Sequence, residues 1–172
     1  MVSENGLHYS WDWEHVHLVQ LNNFAGSGPE HAQSGPSPHN HDPEHSLEFL
    51  IETLAKNVGD SGRPVIIAQH YGWDGWGKSW WDDEARDLLE EAIADYNVVL
   101  LIGGHNHAAF ISEWRGYTYL SSGAAQRGNS PGDFFVVEID RNEMIMAHWT
   151  SNGWSQHRQR ISIGAPEISL TE

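Results

Sequence analysis

Apolar and polar positions alternate at the start of the chain. Leu7, Tyr9, Trp11 and Trp13 share one face of an extended segment, and a second segment, His15–Leu21, follows one acidic residue. Alternation of this period predicts two strands joined by a tight hairpin. From about Asn22 to His41 the pattern gives way to Gly, Pro, Ser and His. That predicts a long loop, and long loops in compact domains are often functional. Asp42-Pro43-Glu44 predicts a helix start, with Asp42 as cap, Pro43 in the first helical position and Glu44 at the positive helix end. Leu47, Leu50, Ile51, Leu54 and Val58 recur at helical spacing until Gly59. Val65–Ala68 is a continuous apolar run of the kind found in buried strands, and His70 stands just past it.

A Gly- and Trp-rich loop, 71–79, leads to a second amphipathic helix from about Trp81 to Tyr96. A second buried strand, Val98–Ile102, runs into Gly103-Gly104-His105-Asn106-His107. The remainder reads as strands over 108–114, 117–121, 134–139, 144–149 and 156–163. No repeat or boundary interrupts the pattern. The expectation is one α/β domain over 1–172, with mixed β-sheets and flanking helices.

Composition narrows the chemistry. The 172 residues carry a formal charge of −15, from 9 Lys and Arg against 24 Asp and Glu. That disfavours nucleic acid and anionic membrane as partners. An anionic substrate would need bound cations to invert the local field. With no cysteine, disulfides, zinc–thiolate sites and thiol nucleophiles are excluded, so any metal must be held by His, Asp, Glu, Asn or backbone oxygen. The first seven residues are short and polar and read as no signal peptide, and no apolar run is long enough to cross a bilayer; localisation stays unknown.

The candidate chemistry sits at two strand ends. His70 follows one buried strand, and His105 and His107 follow another. Ligand sites in α/β sheets lie at the carboxyl ends of strands, so the intervening helix would bring these imidazoles together. Gly103 and Gly104 are expected to let the backbone turn sharply beside an ion. Neutral imidazole suits Zn, Fe, Mn or Ni. Tyr71, Trp73 and Asp74 directly follow His70 and are expected to border a substrate pocket. His15 and His17 read as strand residues, His39, His41 and His45 as a solvated loop and helix start, and Asp12 as a hydrogen-bonding strand residue. Trp11, Trp13, Trp80 and Trp81 read as packing residues.

Gly104-His105-Asn106-His107 after an apolar strand resembles the Gly-His-x-His motif of calcineurin-like metallophosphoesterases. Ile67-Ala68-Gln69-His70-Tyr71 resembles that family's preceding strand with its single metal-binding histidine. The flanking segments 6–13, 16–22 and 46–50 are similar to a bacterial-type branch, so the likeness covers nearly the whole chain. The resemblance implies part of a four-layer α-β-β-α sandwich and a site with two divalent metals. It assigns His70 and His105 to one ion and His107 to the other. The family's Asp-x-His, Gly-Asp-x-x-Asp and Gly-Asn-His-Asp/Glu motifs have no match here. Asn40-His41-Asp42 has part of the last one, but it follows a proline-rich loop and lacks the glycine, so it reads as coincidence. The chain is expected to correspond to the C-terminal half of the family fold.

The functional expectation is a metal-dependent hydrolase of phosphate mono- or diesters acting on a small-molecule ester. Two ions serve the family, and one or none would remain without the missing carboxylates. The rival is a non-catalytic metal-binding or assembly module, with self-association covering the missing half. A metal-dependent carboxylic ester hydrolase is a third reading; no Gly-x-Ser-x-Gly elbow supports a serine mechanism.

Overall fold

A computed structural model describes residues 1–33, 41–127 and 130–164. Its strands and helices are β1 (Tyr9–Trp13), β2 (Val16–Gln20), α1 (Ser46–Asn57), β3 (Val65–Tyr71), α2 (Asp83–Ile93), β4 (Val98–Gly104), β5 (Ala109–Trp114) and β6 (Tyr117–Ser122). Two short strands, β7 (Gln126–Arg127) and β8 (Ser130–Pro131), precede β9 (Phe134–Ile139), β10 (Glu143–Thr150) and β11 (Gly153–Ser162). The main sheet has six strands in the order β1-β2-β3-β4-β6-β5. Its four central strands are parallel, and β1 and β5 are antiparallel edges. A smaller antiparallel sheet runs β11-β10-β9.

The pleat of β3 and β4 sends successive side chains to opposite faces and creates two cores. Val65, Ile67 and Leu101 point to the helix side, with Leu50 and Leu54 of α1 and Leu89 and Ile93 of α2. Ile66 and Leu100 point the other way, onto Met144 and Met146 of β10 and Ile163. Helices, main sheet and small sheet therefore stack as three of the four layers expected. The outer face of the small sheet carries exposed Phe134, Val136 and Trp154. Among the described residues no helix is long and apolar enough to cross a membrane.

Several boundaries differ from the sequence reading. Asp42 does not cap a helix. Its Oδ1 accepts from the Glu44 amide at 2.8 Å in a local turn, and the chain then passes through left-handed Glu44 and His45 before α1 begins at Ser46. The Ser46 side chain is buried and donates to the Phe24 carbonyl, tying the helix start to the loop below it. α2 begins at Asp83, not Trp81, because the Asp82 carboxylate caps it by accepting from the Ala85 amide at 2.8 Å. Trp81 is fully buried ahead of the helix, where its indole donates to the Gly72 carbonyl.

Candidate metal centre

β3 continues through His70 to Tyr71, so His70 is a strand residue, not a loop residue just past the strand. Parallel pairing sets Tyr71 against Gly104, which brings the ends of β3 and β4 side by side. At this edge His70 Nε2 and His105 Nδ1 lie 2.9 Å apart. As they stand the two rings share a hydrogen bond, and with bonds of ~2.1 Å the same nitrogens could bind one ion at adjacent positions about 90° apart. The pair therefore fits a shared divalent metal. The far nitrogen of His105, Nε2, is buried and has no hydrogen-bond partner.

The backbone behaves differently from expectation here. Gly103 and Gly104 stay in β4, and the left-handed turn falls on the histidines: φ is 66° at His105 and 57° at His107. Non-glycine residues rarely adopt this region, at about 1 kcal/mol or more each, and such strain persists where surrounding contacts impose it. Gly103 serves close approach instead. A Cβ on Gly103 would lie 2.9 Å from Gly72 Cα, and one on Gly72 would lie 2.1 Å from the Tyr119 hydroxyl. The bare Gly103 lets β4 approach the chain just past β3, and the bare Gly72 makes room for Tyr119 of β6.

An aromatic enclosure surrounds His105. Tyr71 and Trp80 meet its ring edge-on, with centroids at 4.8 and 4.3 Å, and Trp76 stacks on it at 5.0 Å. Loss of water around the ring is the main force lowering the His105 pKa, and His70, His107 and His41 reinforce it. His70 is lowered for the same leading reason, then by His41 and His107. Both imidazoles are thereby held as neutral donors, the form that ligates metal. The same desolvation pushes Tyr71 up to about 12.

The loop after His70 is built inward. Tyr71 and Trp73 are buried, and Trp73 packs against Trp81, Trp114 and Tyr119, so neither offers an open face to a ligand. Asp74 is a tie. Its Oδ1 accepts from the Gly77 amide at 2.8 Å, and its Oδ2 accepts from Asn106 Nδ2 at 2.7 Å and the Tyr119 hydroxyl at 3.2 Å. Arg86, fully buried on α2, donates to the Gly72 and Trp73 carbonyls and lies over the Trp81 ring. Burial lowers its guanidinium to about 10.

Sequence reasoning missed two neighbours of the pair. Trp76 is the loop aromatic that remains exposed beside His105. His41 sets its ring edge against Tyr71 and Trp80 and is close enough to bias both His70 and His105 electrostatically. His39 and Asn40 lie outside the described residues. The exposed His107 joins the same electrostatic cluster. Of the other early polar residues, Asp12 bonds His17 at 2.7 Å and Arg63 at 3.1 Å, as a strand residue should. Trp11 and Trp13, expected to pack, are exposed on edge strand β1.

An open groove of about 680 Å³ runs across the carboxyl ends of the parallel strands, lined by Gln20, Asn22, Gln69, His70 and Gly103–Gly104 among others. Its wall mixes amide side chains and the His70 imidazole with Leu7, Tyr9, Leu21 and Ile102. The sheet order and the layering of helices and two sheets match those of solved dimetal and purple acid phosphatases. The chain has the calcineurin-like metallophosphoesterase fold.

That statement rests on solved structures of the same architecture. A dimetal phosphatase from Danio rerio superposes with a TM-score of 0.58 at 13% identity, over 92% of this chain and 60% of that one. Purple acid phosphatase PPD1 from yellow lupin gives 0.55 at 14% identity, over 96% and 36%. GAP50, the anchor in the inner membrane complex of Plasmodium, gives 0.58 at 16%, over 93% and 55%. Among curated proteins, the 3',5'-cyclic adenosine monophosphate phosphodiesterase CpdA of Haemophilus influenzae is 30% identical over 91 residues. Those residues are 51% of this chain and 32% of that protein, so the match spans about a third of the relative's length. No family model matches the chain.

Proposed function

We propose that this chain carries part of the active site of a metal-dependent phosphoesterase that hydrolyses small phosphate mono- or diesters. The observation behind it is the 2.9 Å approach of His70 Nε2 and His105 Nδ1 at the carboxyl edge of the parallel sheet. The likeness of half the chain to a cyclic-nucleotide phosphodiesterase supports the ester class. His70 and His105 would hold one divalent ion of the Zn, Mn, Fe or Ni kind, with exposed His107 at hand for a second. Such ions supply a nucleophile at neutral pH and neutralise charge on a phosphoryl group. The residues of the chain do the rest. Tyr71, Trp76 and Trp80 fix the His105 ring and keep water from it, Asp74 holds the turn that carries it, and the groove admits the ester. A chain of net charge −15 accepts an anion only where cations are bound, which makes metal loading a condition of substrate binding.

The experiment is hydrolysis of bis(p-nitrophenyl) phosphate and of p-nitrophenyl acetate, each with and without chelator. Chelator-sensitive cleavage of the phosphodiester, lost in His70→Ala, is the expected result. Cleavage of the carboxylic ester alone would replace the phosphoesterase reading with its ester-hydrolase rival.

One observation favours a second reading, a non-catalytic binding or assembly unit. Among the described residues no carboxylate forms a three-ligand group with His70 and His105, and both oxygens of Asp74 are engaged elsewhere. Exposed Tyr9, Trp11 and Trp13 on edge strand β1 would then serve self-association. Light scattering of the purified chain separates the readings: a stable oligomer without metal-dependent hydrolysis supports the second.

A further inference from the structure

We propose that His31, Asp82 and Glu84 form a second divalent-cation site, separate from the His70–His105 pair, that staples the loop after β2 to the start of α2. The three residues each present a ligand atom, and these atoms lie within 4.8 Å of one another. His31 is 8% exposed and stands at the end of a short 3-10 turn, Pro29–His31. Its backbone is fixed against the α2 start. The Asp82 amide donates to the His31 carbonyl at 3.1 Å, Ala32 bridges Trp81, and the Gln33 amide donates to the Trp80 carbonyl at 2.8 Å.

The side-chain geometry suits an ion as well as the long hydrogen bond it makes. Asp82 Oδ1 is used by the Ala85 amide, which leaves Oδ2 toward His31. His31 Nδ1 and Asp82 Oδ2 are 3.3 Å apart. A charge-assisted hydrogen bond would close to ~2.7–2.9 Å. Two ligands of a tetrahedral ion with bonds of ~2.0 Å are ~3.3 Å apart. Glu84 has no basic partner among the described salt bridges, and Glu30 approaches the other ring nitrogen at 3.7 Å. Carboxylates thus gather around a buried imidazole in a chain already at −15. One histidine with two carboxylates suits zinc or manganese.

The staple would act on the first centre through Trp80. That residue is bonded to Gln33 through its carbonyl and packs on the His105 ring at 4.3 Å. An ion at His31 would hold one wall of the aromatic enclosure in place.

The test is equilibrium dialysis of the full chain against zinc chloride, with zinc counted per chain. A His70→Ala/His105→Ala variant removes the first centre and is expected to keep one zinc. Adding Glu84→Gln, a change on the α2 surface that leaves the Asp82 cap intact, is expected to weaken that zinc at least tenfold. His31→Gln should do the same, with circular dichroism confirming that each variant is folded. Loss of all zinc in the His70→Ala/His105→Ala variant would overturn the proposal, as would equal zinc affinity with and without Glu84→Gln. Neither result depends on hydrolysis, so the phosphoesterase reading can fail while this site stands.

Discussion

Asp74 Oδ2 accepts a 2.7 Å hydrogen bond from Asn106 Nδ2. One carboxylate therefore ties the loop after β3 to the turn after β4, between the histidines that turn carries. The Asn106 side chain also accepts from the Ala108 amide at 2.9 Å and from the Ser121 hydroxyl at 3.0 Å. The left-handed His105 and His107 are held by this network and not by an intrinsic preference of the backbone.

Asp74→Ala should loosen both loops at once. It strands the Gly77 amide, the Asn106 amide group and the Tyr119 hydroxyl. A loss of about 2–3 kcal/mol in urea unfolding is expected for unpaired buried polar groups. Zinc affinity at the histidine pair should fall with it. Unchanged affinity would show that the turn holds its shape without the tie.

Gly72→Ala tests the room that Gly72 makes for Tyr119. The added methyl would meet the Tyr119 hydroxyl and the Asp74 carboxylate. Overpacking of this kind costs about 1–3 kcal/mol. Pairing it with Tyr119→Phe, which removes the nearest atom, should recover part of the loss.

Arg86→Met addresses the buried cation. The guanidinium satisfies two loop carbonyls and covers Trp81, while its Nε has no partner. Methionine keeps the packing, takes the Arg86 bond from the Trp73 carbonyl and leaves the Gly72 carbonyl to the Trp81 indole alone, for an expected loss of about 2 kcal/mol. Tryptophan fluorescence should also change, because Trp73 and Trp81 border the site.

Acid sensitivity should trace in part to Asp12. The His17 hydrogen bond leads in lowering its pKa, and Arg63 adds to it. A carboxylate depressed in the fold stabilises above its ordinary value of 3.8 and loses that contribution as pH falls through the lower folded value. The Asp12→Asn chain should therefore lose less Tm than the natural chain between pH 5 and about pH 3. Asp12 is half exposed, so the difference should be small and shrink further in high salt.

Much of the fold was legible because its signals are local. The Val65–Ile67 and Val98–Leu101 runs announce strands buried on both faces, and the histidine-bearing ends follow directly. What was not legible depends on contacts distant in sequence. Trp73 reads as a loop aromatic, yet Trp81, Trp114 and Tyr119 draw it into the core. His41 reads as solvated, yet it lies against Tyr71 and Trp80, about 30–40 residues onward. The α1 start was misplaced because Asp42 can cap or turn with the same oxygen, and only the buried Ser46 decides between them. The roles of Gly103 and Gly104 were misassigned for a similar reason. A glycine permits either a turn or a close approach; the facing Gly72 selects the second for Gly103, while Gly104 simply continues the strand.

The account stands most directly on whether His70 and His105 share an ion. Crystals of the chain soaked in zinc, measured on both sides of the zinc absorption edge, give the answer. An anomalous peak within bonding distance of both His70 Nε2 and His105 Nδ1 is predicted. Full zinc loading elsewhere with no peak between those two nitrogens would contradict it.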